Sequence, residues 1–92
     1  MDIRSWREKI DELDRKLVDL LNERAKAAQA IGRLKRSTQV PIYEPDRERT
    51  IFQNISAAND GPLRDQDLQV IYQALIAVMR EIQSQEALDE DR

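Results

Sequence analysis

A chain of 92 residues with no Cys and no His has room for one domain, taken here as residues 1–92, and lacks the thiol nucleophile, the disulfide staple, the commonest general base and the commonest metal ligand. Its 15 Lys and Arg are interspersed with 18 Asp and Glu, for a net charge of −3, which argues against nucleic acid as a partner. No apolar run approaches the roughly 20 residues of a membrane span, and "MDIRSWREKI" has no apolar signal core, so no membrane partner is expected and the expected compartment is the cytoplasm.

Helix formers dominate, with two Gly and three Pro as punctuation, so the fold class is all-α. The first helix is expected from about Asp2 to about Arg36. Its apolar stripe is Ile3, Trp6, Ile10, Leu13, Leu17 and Leu20, then Ala27, Ile31 and Leu34. Steps of three and four make the seam of a helix that packs lengthwise on another. Trp6, and Tyr72 further on, read as core. Gly32 costs this helix roughly 1 kcal/mol relative to Ala, which suggests close approach of another helix or of a ligand. "STQVP" ends the helix, since Pro41 disfavours helical backbone at Val40.

The second helix opens at "YEPDRER", where Pro45 suits the first helical position and Glu44 and Asp46 suit the positive end of the dipole. "NDGPL" ends it, with Asn59 or Gly61 free to turn left-handed and Pro62 blocking continuation. The third helix starts near Asp65, an expected N-cap, and runs to about Ala87. Its stripe is Leu68, Ile71, Tyr72, Leu75, Ile76, Met79 and Ile82, with Gln83 on the edge, and the tail "LDEDR" is expected to fray. A first helix of about 35 residues is roughly 50 Å long, and helices of about 14 and 23 residues cover only part of it. The simplest partner for the rest is a second copy in a two-fold dimer.

Several charges do not fit a plain bundle. Arg24 stands where the seam calls for an apolar residue, four after Leu20 and three before Ala27. Lys35 returns to within about 20° of Arg24, about 16 Å along the axis. Ala27 and Ala28 keep the surface between them low, which makes a trough with a cation at each end, sized for a small organic anion. Arg47, in the first turn of the second helix, can aim at the same trough. Glu48 beside it can accept from a hydroxyl or hold an arginine in place. Gln83 is a neutral donor on an apolar stripe. Arg7 lies about 25 Å from Arg24 and cannot serve the same trough within one chain. Antiparallel pairing of first helices near Leu17 or Val18 would bring a partner's Arg7 over it. Each residue alone has a plainer reading: snorkelling for Arg24 and Lys35, exposed helix charge for Arg47 and Glu48, a wet rim for Gln83, and pairing with Asp11 for Arg7.

Taken together, Arg7 in "WREKIDELD", Arg24 in "LLNERA", Lys35 in "IGRLK", Arg47 and Glu48 in "YEPDRER", and the late Gln83 resemble, in type, order and spacing, the all-helical type II chorismate mutases. "PIYEPDRER" and "NDGPL" look most like the mutase domains fused to prephenate dehydratases. No second domain follows here, so the resemblance implies a free-standing mutase or an excised domain. It implies an intertwined homodimer of three-helix chains with two equivalent sites, converting chorismate to prephenate on the route to phenylalanine and tyrosine. By that analogy Arg24, Arg47 and the partner chain's Arg7 bind two carboxylates. Lys35 and Gln83 donate to the ether oxygen, and Glu48 accepts from the ring hydroxyl, assisted by backbone near Glu44. Glu44 stands where some relatives have Asp, and Met79 where some have a small polar residue lining the site. Such a rearrangement needs no cofactor, metal or nucleophile. Two other readings share these features: an isochorismate pyruvate-lyase on the same scaffold, and a non-catalytic dimerisation or regulatory domain.

Overall fold

A computed structural model describes residues 2–88. They form α1 (Ile3–Arg36), α2 (Pro45–Ala58) and α3 (Asp65–Leu88), close to the spans expected from the sequence. The Asp2 carboxylate caps α1 by accepting from the Ser5 N–H at 2.9 Å. Arg33, Lys35 and Arg36 crowd the last turn, where the dipole favours cations. Pro45 opens α2, with Asp46 and Glu48 in its first turn. Gly61 turns the chain between α2 and α3 with φ 77°, backbone that other residues rarely adopt.

Two expectations need correction. Asp65 is the first helical residue of α3 rather than its cap, and the carbonyl of Arg64 accepts from the N–H groups of Asp67 and Leu68 in the first turn. The Asp65 carboxylate instead reaches back to the end of α2, where Asn59 Nδ2 and Ser56 Oγ each donate to it at 2.7 Å. These donors, Asn59 foremost, hold its carboxyl below the usual range. Trp6 is not core within the chain either, at 56% exposed, whereas Tyr72 is half-buried. The expected fraying of "LDEDR" lies outside the described residues beyond Leu88, which still belongs to α3.

Trp6 is exposed because of where α3 packs. It lies against α1, and α2 packs on α3 rather than on α1. Every residue of α1 from Trp6 to Glu23 is exposed, and burial begins at Arg24. The core is small: Ala28 and Gly32 of α1 against Ile76 and Met79 of α3. The apolar stripe therefore runs on past its cover, leaving Ile3, Ile10, Leu13, Leu17 and Leu20 as well as Trp6 facing outward. Among the described residues no helix is long and apolar enough to cross a membrane.

Candidate active site

The covered half of α1 and the start of α2 face each other across α3, and the space between them is a cleft of about 380 Å³. α1 contributes Arg24 and Lys35, with Ala27, Ala28 and Ile31 between them. The small side chains keep the floor low, as their spacing implied. Glu44, Arg47 and Glu48 enter from the start of α2, and Met79, Arg80 and Gln83 from α3. Arg24, Lys35, Glu44, Arg47, Glu48, Met79 and Gln83 thus line one cleft. Arg7 does not line the cleft; it is exposed on the uncovered half of α1 and makes no ion pair with Asp11 among the described residues.

Lys35 is the most enclosed of these charges, with 8% of its side chain exposed. Its ammonium lies 2.6 Å from Glu44 Oε1 and donates to Gln83 Oε1 at 3.0 Å and, more weakly, to the Ile42 carbonyl at 3.4 Å. The ammonium is thus engaged by three protein oxygens, two through hydrogen bonds and one through an ion pair. Donation to a bound molecule would displace one of them, and the long bond to Ile42 is the weakest. Glu44 occupies the N-cap position of α2 but makes no side-chain bond to that helix; its carboxylate goes to Lys35 instead.

The Lys35–Gln83 bond also decides how the amide sits. An ammonium has only donors, so Gln83 must offer it the oxygen and turn its NH₂ elsewhere. A neutral amide whose carbonyl is held this way is an oriented donor. Glu48 does the second of the two things open to it: its Oε2 lies 3.2 Å from Nε of Arg80. That Nε–H is shielded from solvent and is not aligned for a true hydrogen bond. The Arg80 guanidinium also sits 5.2 Å from the centre of the Tyr43 ring, within cation–π range.

Nothing in the sequence alone marks Arg80 as a site residue. It follows Met79 and precedes Gln83 by three residues, so helical spacing alone puts it beside that amide. An arginine at the edge of an apolar stripe reads as surface charge unless its facing carboxylate is known.

The cleft therefore holds two internal ion pairs, Lys35–Glu44 and Arg80–Glu48. Arg24 and Arg47 line it with no carboxylate partner among the described residues. Four cations against two carboxylates leave two positive charges, suited to a small dianion.

Residues 6–84 match the family model described as chorismate mutase type II. The chain belongs to that family. The chorismate mutase of Methanocaldococcus jannaschii is 32% identical over 80 residues, covering 86% of this chain and 81% of that protein. The bifunctional chorismate mutase/prephenate dehydratase of Aquifex aeolicus is 38% identical over 80 residues, 83% of this chain. This chain spans only 22% of that relative's length. Among solved structures, chorismate mutase Form II from Thermus thermophilus is 27% identical and superposes with a TM-score of 0.87, covering 98% of both chains. The Helicobacter pylori chorismate mutase, solved in complex with prephenate, is 32% identical with a TM-score of 0.85, covering 98% of this chain and 97% of that one. The type II mutase family thus accounts for the three-helix architecture as well as the sequence.

Proposed function

We propose that this chain is one catalytic domain that converts chorismate to prephenate by a Claisen rearrangement, on the route to phenylalanine and tyrosine. The observation that carries the reading is the charge balance of the cleft: Arg24 and Arg47 are left over after Lys35–Glu44 and Arg80–Glu48 have paired. Chorismate carries two carboxylates, and two planar guanidinium forks can fix the position of both. Family membership and the prephenate held by the Helicobacter pylori relative support the same substrate class.

The reaction breaks an ether C–O bond while a C–C bond forms in the same molecule. No proton need leave, so the cleft requires no general base. It has to fold a flexible dianion so that its reacting carbons meet, which is the task of the arginines. It also has to stabilise the negative charge that grows on the ether oxygen. Lys35 and the NH₂ of Gln83 are the donors we assign to that oxygen, held in a partly enclosed site where such bonds are strong. Glu48, aimed by Arg80, accepts from the ring hydroxyl. Glu44 positions Lys35, and Met79 supplies an apolar wall. Carboxylate binding acts mainly on KM, and the donors to the ether oxygen act on kcat.

The same reading makes the chain a homodimer. The outward stripe from Ile3 to Leu20 is too apolar and too continuous to face water comfortably, and a second copy of α1 is its natural cover. In that arrangement Arg7 of the second copy reaches the cleft and gives the substrate a third arginine. The reading keeps the cytoplasmic location expected from the sequence. The test is direct: chorismate is lost and prephenate appears on adding the purified protein. A folded protein that consumes isochorismate but not chorismate would overturn the assignment.

A further inference from the structure

Gly32 is buried on the face of α1 that meets α3, and no part of the site described above uses it. Among the described residues Gly61 alone has positive φ, so the backbone at position 32 does not require glycine, and inside a helix glycine is less favourable than alanine. What requires it is space. A Cβ on Gly32 would stand 2.7 Å from the backbone oxygen of Gln83, 2.9 Å from its Cα and 2.9 Å from the Cβ of Glu86. Ordinary contact begins at 3.4 Å, and the first two of these atoms are backbone, which cannot swing aside as a side-chain tip can. Any side chain at position 32 therefore forces the helices apart at Gln83.

We propose that Gly32 is a positioning residue: its missing side chain sets the spacing of α1 and α3 at which Lys35, one turn further along α1, holds the Gln83 amide. This rests on the assignment of Lys35 and Gln83 as donors in the rearrangement. The Lys35–Gln83 bond is 3.0 Å, and retreat of α3 by the clash distance takes it beyond hydrogen-bond range. The same turn of α3 is tied to α1 by Glu86, whose carbonyl accepts from Arg36 Nε at 3.2 Å and whose carboxylate lies 3.5 Å from Arg33. Those ties bring α3 onto α1, and Gly32 decides how close it comes. Arg24 and Arg47 do not depend on this spacing in the same way, since Arg24 lies two turns back along α1 and Arg47 is on α2.

The test is Gly32→Ala in the full chain, alone and combined with Gln83→Ala. The expected result is a folded protein whose kcat falls about 10- to 100-fold, as for a displacement of this size at a reacting centre, with KM changed less than about threefold. In the Gln83→Ala background the added Gly32→Ala change should lower kcat less than about twofold, because both act through one amide. A wild-type kcat in Gly32→Ala overturns the inference, as does a full further loss in the Gln83→Ala background. Loss of the helical fold in Gly32→Ala also overturns it, by assigning glycine to stability instead. If the unaltered chain does not consume chorismate, the functional reading fails and takes this inference with it. If it does, an unimpaired Gly32→Ala sinks this inference alone.

Discussion

Replacing Lys35 with alanine probes the centre of the site. The ammonium is the better of the two donors assigned to the ether oxygen, and it also holds the Gln83 amide at 3.0 Å. Removing one such donor costs about 10²- to 10³-fold in kcat. Freeing the amide to rotate adds to that, so the expected loss is about 10³- to 10⁴-fold, or roughly 4–5.5 kcal/mol of barrier. KM should rise far less, because Arg24 and Arg47 remain. Stability should suffer little. Lys35 is 8% exposed, but its partner Glu44 is 39% exposed and can rehydrate. The pair is therefore worth closer to the ~1 kcal/mol of a surface ion pair than the cost of stranding a fully buried charge. The assay is kcat and KM for prephenate formation, beside a thermal melt of the same sample. A folded Lys35→Ala protein with kcat within tenfold of the unaltered chain would refute the reasoning.

Three further outcomes are expected. Gln83→Glu should fall by about 10²-fold or more at neutral pH and recover on acidification, because only a protonated carboxyl can donate; a flat pH–rate profile would remove position 83 from the ether oxygen. Arg80→Ala should lower kcat/KM about tenfold by releasing Glu48 while shifting stability by less than about 1 kcal/mol; unchanged kinetics would mean that Glu48 needs no such support. Asp2 and Asp65 both have carboxyls held below their ordinary value of 3.8 when folded, by the Ser5 N–H in one case and by Asn59 and Ser56 in the other. The folded state thus binds fewer protons than the unfolded one in that range, so their contribution is present above pH 3.8 and is lost as pH falls through the lowered values. Asp65→Asn should therefore show a shallower acid-induced fall in melting temperature, and an equally steep fall would contradict the role of that carboxylate.

What the sequence made legible was what helical periodicity controls. Arg24 and Lys35 sit three turns apart on a helix with alanines between them, so their meeting at one cleft follows from spacing alone. Pro45 marks the start of α2, and Arg47 and Glu48 follow within its first turn. Pairings between helices were not legible. That Glu44 leaves its own helix end for Lys35, and Glu48 takes Arg80, depends on the angle at which α2 crosses α3, and no local pattern encodes that angle. Asp65 carries every mark of a cap, but its carboxylate accepts from Ser56 and Asn59 at the end of α2 instead. Trp6 has the right period for a core residue and is left uncovered because α3 covers only the second half of α1. The pattern said that something packs there and could not say whether the same chain supplied it.

The most direct test of a cleft completed by a second copy is to mix two broken chains. Arg7→Ala and Arg24→Ala proteins should each be nearly inactive alone. Refolded together, they should form mixed dimers in which one site draws Arg24 from one chain and Arg7 from the other, while the second site lacks both. Random pairing then gives roughly a quarter of the unaltered specific activity. Recovery near that level is the expected result; mixed dimers verified by mass yet as inactive as either parent would contradict a site shared between two copies.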